Sequence, residues 1–219
     1  MLQGFTKAAI AAAMVIGVAA SASAATIIDF RNGSAVAGGS ITFDGSNVFG
    51  NNLPIAMVEI LGAPTNNGTY EVTGAIVNSG TPSGTAGDLD FNSQTGVVTL
   101  SGCIAGLGVG LTSGGVCTEP APLLSGTLTG FNVNGPRGLV DFTGFDTKSS
   151  QLLTAIGLSP TTPFSMDSFQ LLTGSLTANG VPVTSVSTDL RNTAVPEPAT
   201  MMLLGTGLLA AFKARRRQA

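Results

Sequence analysis

The feature that most constrains this chain is its punctuation. From Thr26 onward, short runs of Val, Ile, Leu, Phe and Thr are broken at close intervals by Gly, Asn, Ser and Pro. Asn66-Asn67-Gly68, Asn134-Gly135-Pro136 and Asn179-Gly180 are the plainest of these breaks. No uninterrupted stretch between them is long enough for a bundle of helices, whereas segments of this length between turn residues are what strands need.

Within the runs, side chains alternate. Leu89 and Phe91 fall on one face of the stretch 88–92, and Asp88, Asp90 and Asn92 on the other. In residues 69–77, Tyr70, Val72 and Ile76 share a face opposite Glu71 and Thr73. Further strands are expected at 26–30, 40–43, 55–61, 97–101, 125–133, 139–145, 168–178 and 183–190. Ser150 to Leu158 breaks the pattern, with leucines at helical spacing, serine for an N-cap, and Gly157 and Pro160 at its end. The expectation is an all-β body over 25–192, an antiparallel β-sandwich of jelly-roll type with one short helix.

Cys103 and Cys117 are the only cysteines of the chain. Gly102 to Gly115, rich in glycine and aliphatic residues, reads as a loop or irregular hairpin between them. A disulfide is the natural pairing if the body reaches an oxidising compartment. Metal ligation is the alternative, but two thiolates in a chain with no histidine make a poor zinc set.

The N-terminus specifies that compartment. Lys7 precedes an apolar run from Ala8 to Ala20, and Ala22-Ser23-Ala24 supplies the small residues of a cleavage site. Residues 1–24 therefore read as a secretory signal peptide, cleaved after Ala24. No cysteine follows that site, which argues against a lipoprotein anchor.

Between these ends the cations are Arg31, Arg137, Lys148 and Arg191, against a large excess of Asp and Glu. Such a field repels phosphate backbones, so no nucleic-acid partner is expected. With no histidine, Ser-His-acid and Cys-His catalysis are excluded. No nucleophile elbow, Walker loop or strand-associated GxGxxG occurs.

Asp88-x-Asp90-x-Asn92 opens like a calcium loop, but Ser93 and Thr99 stand where glycine and a bidentate glutamate belong, and the stretch reads as a strand face. No metal or cofactor is expected. Scattered carboxylates identify no glycosidase pair. Sugar recognition usually shows aromatic platforms, and the chain has no tryptophan and one tyrosine. Asn32-Gly33-Ser34 and Asn67-Gly68-Thr69 match a glycosylation sequon, but Asn-Gly is itself a turn former.

The tail carries its own message. Pro196-Glu197-Pro198 follows Val195; an uncharged run from Ala199 to Phe212 follows in turn, and Lys213, Arg215, Arg216 and Arg217 close it. As a helix the run would rise about 21 Å, short of a hydrocarbon core of roughly 30 Å. It suits a temporary membrane handle, with the cations held in the cytoplasm and the prolines extended just outside.

The ordered triplet of Pro-Glu-Pro motif, apolar helix and basic end, residues 193–219, resembles the PEP-CTERM sorting signal. That resemblance implies recognition by an exosortase, a membrane transpeptidase, through Val195, Pro196, Glu197 and Pro198. The basic residues would then stop passage through the secretion translocon. It further implies transit through the inner membrane and periplasm to the surface or extracellular matrix of a Gram-negative bacterium, where exopolysaccharide and biofilm are the expected setting. A permanent C-terminal anchor read by no enzyme is the alternative for the tail. For the body, the expectation is a non-enzymatic surface or matrix protein, with a carbohydrate-binding module or carbohydrate-active enzyme as the alternative.

Overall fold

A computed structural model describes residues 25–32, 38–74, 86–111, 117, 121–185 and 187–195, all of which but Ala25 lie in the compact unit Thr26–Val195. The signal peptide, the sorting helix with its basic end, and the end of the expected strand at 69–77 lie outside the described residues.

Among the described residues twelve strands are formed: β1 (Ile27–Arg31), β2 (Gly38–Phe43), β3 (Val48–Ile55), β4 (Met57–Leu61), β5 (Gly68–Glu71), β6 (Gly87–Asn92), β7 (Val97–Gly102), β8 (Ala121–Asn134), β9 (Leu139–Lys148), β10 (Phe164–Leu172), β11 (Val183–Ser185) and β12 (Ser187–Ala194). Among the described residues one α-helix, α1 (Ser150–Ala155), is formed, and it follows β9. Ser149 caps it, its side chain accepting from Leu152 N at 3.1 Å, while Leu152 and Leu153 are buried against the sheet.

All twelve strands belong to one antiparallel sheet, ordered β11-β2-β3-β6-β7-β8-β9-β10-β12-β1-β4-β5. The expected sandwich of two sheets is therefore replaced by a single ladder that curls into a half-barrel. The curl can be measured. Phe91 on β6 lies three ladder steps from Phe142 on β9, roughly 14 Å apart on a flat sheet. Their ring centroids are 4.8 Å apart, and Phe169 on β10 packs on both at 5.4 and 4.7 Å.

Register shifts in β3, β8 and β10 supply bends. Two glycines permit close approach. A Cβ at Gly50 would lie 2.0 Å from the Phe91 ring, and one at Gly144 would lie 2.3 Å from Thr127 O.

Three expected strands are corrected. Residues 55–61 divide at Ala56, whose N–H donates to Arg31 O across the sheet. Residues 168–178 stop at Leu172, because Thr173 and Leu176 fold back to donate to Gly138 O and Gly135 O over the β8–β9 turn. Residues 183–190 supply two strands, β11 at the sheet edge against β2 and β12 between β10 and β1. The stretch 48–54 forms most of β3 although Asn51, Asn52 and Pro54 read as breakers. Asn52 takes a left-handed φ of 51° at the bulge, and Asp90 Oδ1 accepts its N–H at 2.8 Å.

Candidate functional site

The sequence places its clearest functional signal just after β12. β12 is an interior strand, paired on both sides by β10 and β1. Ala194 N donates to Thr26 O, and Val195 N donates to Pro163 O at 2.9 Å. The first and last strands of the body are therefore neighbours, and β12 ends at Ala194, two positions before Pro196 in the sequence. Of the sorting residues only Val195 is described; Pro196, Glu197, Pro198, Lys213, Arg215, Arg216 and Arg217 lie outside, as do Ala22 and Ala24 of the cleavage site.

Cys103 and Cys117 are joined in a disulfide with their Cα atoms 5.9 Å apart. It sits where the curl closes. Cys103 and Thr73, just beyond β5, exchange N–H···O bonds of 2.9 Å, tying the β5 edge back to the end of β7.

Asp88, Asp90 and Asn92 face away from the core on β6, as a strand dictates. Asp90 holds the β3 bulge, and Asn92 Oδ1 accepts from Gln94 N and Thr95 N in the following turn. Among the described residues no group of three acids or cysteines is gathered to hold a metal ion. Asn51, Asp90, Asn92, Thr95 and Thr99 line an open groove of about 360 Å³ on this side of the sheet. The Phe91 ring beneath it is committed to the aromatic core.

A second polar site lies on the outer face of β12, β1 and β4. Arg31 donates to Asp29 Oδ2 from Nε at 2.9 Å and from Nη2 at 2.6 Å, and also bridges Glu59. Asp189, opposite Arg31 in register, has its pKa pushed up to about 6, first by desolvation and then by the Asp29 carboxyl. Asp29 Oδ1 is buried without a donor among the described residues, which is the position a proton on Asp189 would satisfy.

The third site was missed in the sequence. Asp146, Lys148 and Asn192 are buried on the inner face. Lys148 Nζ pairs with Asp146 Oδ1, and Asn192 Nδ2 donates to Asp146 Oδ2. The Phe164 and Phe30 rings enclose the ammonium at 4.9 and 5.9 Å. Desolvation lowers the Lys148 pKa to about 8 and raises that of Asp146, the latter against the opposing pull of Lys148. A signal was present: Val140, Phe142, Asp146 and Lys148 alternate on one face. Ending the strand at Phe145 hid it.

Residues 194–217 match the family model of the PEP-CTERM protein-sorting motif. No curated protein and no solved structure matches the chain. The body thus stands on its own geometry, whereas the segment leaving β12 has a known kind. The chain carries a PEP-CTERM sorting tail, and that motif implies an exported protein processed at the membrane by an exosortase.

Proposed function

We propose that this is a non-enzymatic protein of the cell surface or extracellular matrix, exported by the segment 1–24 and handed over by its C-terminal tail, and that its setting is exopolysaccharide and biofilm. The observation that carries this is the sorting motif at residues 194–217, which begins where an interior strand of a cross-linked β body ends. On this reading Val195 to Pro198 are gripped by the exosortase, Lys213 and the three arginines halt translocation, and cleavage follows Ala24.

Pulse-chase mass measurement in cells with and without the transpeptidase tests it. The expected outcome is loss of the tail only where the enzyme is present. A tail retained in both would leave a permanent anchor.

The groove beside β6 gives the second reading its one physical support. Amide, hydroxyl and carboxylate groups line it, the chemistry that sugar hydroxyls would meet. Incubating the purified protein with a panel of exopolysaccharides separates the readings. Turnover would indicate an enzyme, saturable retention a binding module, and neither a structural role.

A further inference from the structure

The buried trio of β9 and β12 serves neither export nor sorting, and an isolated lysine is an expensive group to place in a core. Its chemistry is specific. An amine nucleophile, a carboxamide electrophile and a carboxyl group touching both are held together in the core, each residue at most 5% exposed. We propose that Lys148 and Asn192 become joined in the folded protein by an intramolecular isopeptide bond between Nζ and Cγ, with Asp146 carrying the protons and ammonia leaving.

The surroundings favour the reactive protonation states. Burial disfavours an ammonium and a carboxylate alike, which lowers the cost of passing the proton from Nζ to Asp146, and attack starts from the fraction in which a neutral amine faces a neutral acid. The other carboxyl felt at Asp146 is that of Asp167, which pushes in the same direction.

Asn192 Oδ1 is buried with no donor among the described residues. A half-turn of the amide places it on the protonated Asp146, which polarises Cγ. Both partners are hydrogen-bonded to one carboxyl group, which gathers them at a single site, and attack requires Nζ to come within roughly 3–3.5 Å of Cγ.

The step balances without an oxidant or co-reactant. The Nζ lone pair forms the new bond to Cγ, and Nζ sheds one proton to Asp146. The Cγ–Nδ2 bond breaks with its electron pair on Nδ2, which takes a proton from Asp146 and departs as ammonia. The carboxyl group ends as it began. Asp146 is thus the catalytic residue, and a neutral amide replaces a buried ion pair.

The bond would span β10 and tether β12, the strand that runs into the sorting tail, to β9. It goes beyond the proposed function and holds whether or not the body binds carbohydrate.

The test is denaturing intact-mass measurement of the full chain as purified, with the disulfide reduced, followed by tandem mass spectrometry of a digest. The expected wild-type species is lighter than its sequence by one ammonia, and a branched peptide joins Lys148 to Asn192. D146N and K148R are expected at full sequence mass. N192D keeps a carbonyl for attack and is expected lighter by one water. A wild-type chain at full sequence mass, with Lys148 and Asn192 in separate peptides, would overturn the proposal. So would an ammonia lost equally from D146N and K148R.

Discussion

The two halves of the sheet are built from different residues. Along β11-β2-β3-β6-β7-β8 the strands hold no lysine or arginine; Asp88 and Asp90 are their charged groups, with Asp44 in the β2–β3 turn and Arg137 in the turn from β8 into the other half. The other half, β9-β10-β12-β1-β4-β5, holds Lys148, Arg191 and Arg31 together with Asp146, Asp189, Asp29 and Glu59. Inside, the first half presents Ile41, Val48, Leu53, Leu89, Val98 and Leu100, whereas the second interrupts Phe142, Phe169 and Leu190 with Asp146, Lys148 and Asn192. Both close onto the same aromatic cluster. What differs is how much each half depends on pairing: an apolar face tolerates loss of any one polar contact, while a buried ion leaves its partner stranded when removed.

The largest expected effect therefore lies in the ionic half. Lys148→Met removes both the amine of the proposed cross-link and the cation beside Asp146, leaving that carboxyl buried without a partner, and should destabilise the fold by about 3–5 kcal/mol in denaturant unfolding. An unchanged midpoint would mean that Asp146 is not held in the core as described.

Next comes the seam between the halves. The disulfide spans 14 residues of sequence at the point where β5 meets β7. Paired Cys103→Ser and Cys117→Ser should lower stability by about 3 kcal/mol, read by thermal unfolding. No change on reduction would indicate that the curl closes without it.

In the cation-free half, Gly50→Ala drives a methyl group into the Phe91 ring, which Phe142 and Phe169 hold in place. A loss of about 1–3 kcal/mol is expected, with weakened near-ultraviolet circular dichroism from the disturbed aromatics. Preserved aromatic signal and stability would show that this half repacks freely.

The smallest effect concerns the exposed ionic face. Asp189 binds its proton more tightly folded, near pH 6, than unfolded, near 3.8. Between those values the folded state holds more protons, so this group's contribution to stability is greatest below about 4 and is lost as pH rises towards 6. Asp189→Asn should flatten the pH dependence of the urea midpoint across that window. An unaltered slope would show that folding does not raise the proton affinity of Asp189.

Much of the fold was legible because alternation is local. Leu89 and Phe91 are inward, the helix starts at its serine cap, and the turns at Asn66-Asn67-Gly68 and Asn134-Gly135-Pro136 fall where the punctuation places them. The sorting motif was legible for a different reason: it is a linear peptide whose order of parts carries its meaning, and residues 194–217 match it as such. The missed items depend on partners distant in sequence. β3 passes through Asn52 and Pro54 because Asp90, 38 residues on, accepts the awkward N–H. Asp146 and Asn192 are 46 residues apart and meet only once β9 and β12 flank β10.

By itself the sequence determined the β character, the positions of most turns, the one helix and the address at the end of the chain, all set by backbone preferences and side-chain periods over a few residues. Only the tertiary structure decided that the strands form one curled sheet and not two, and that a lysine, an asparagine and an aspartate share a buried interior. Strand order and burial are fixed by which distant segments complete each other's hydrogen bonds and exclude water, and no local pattern records that choice.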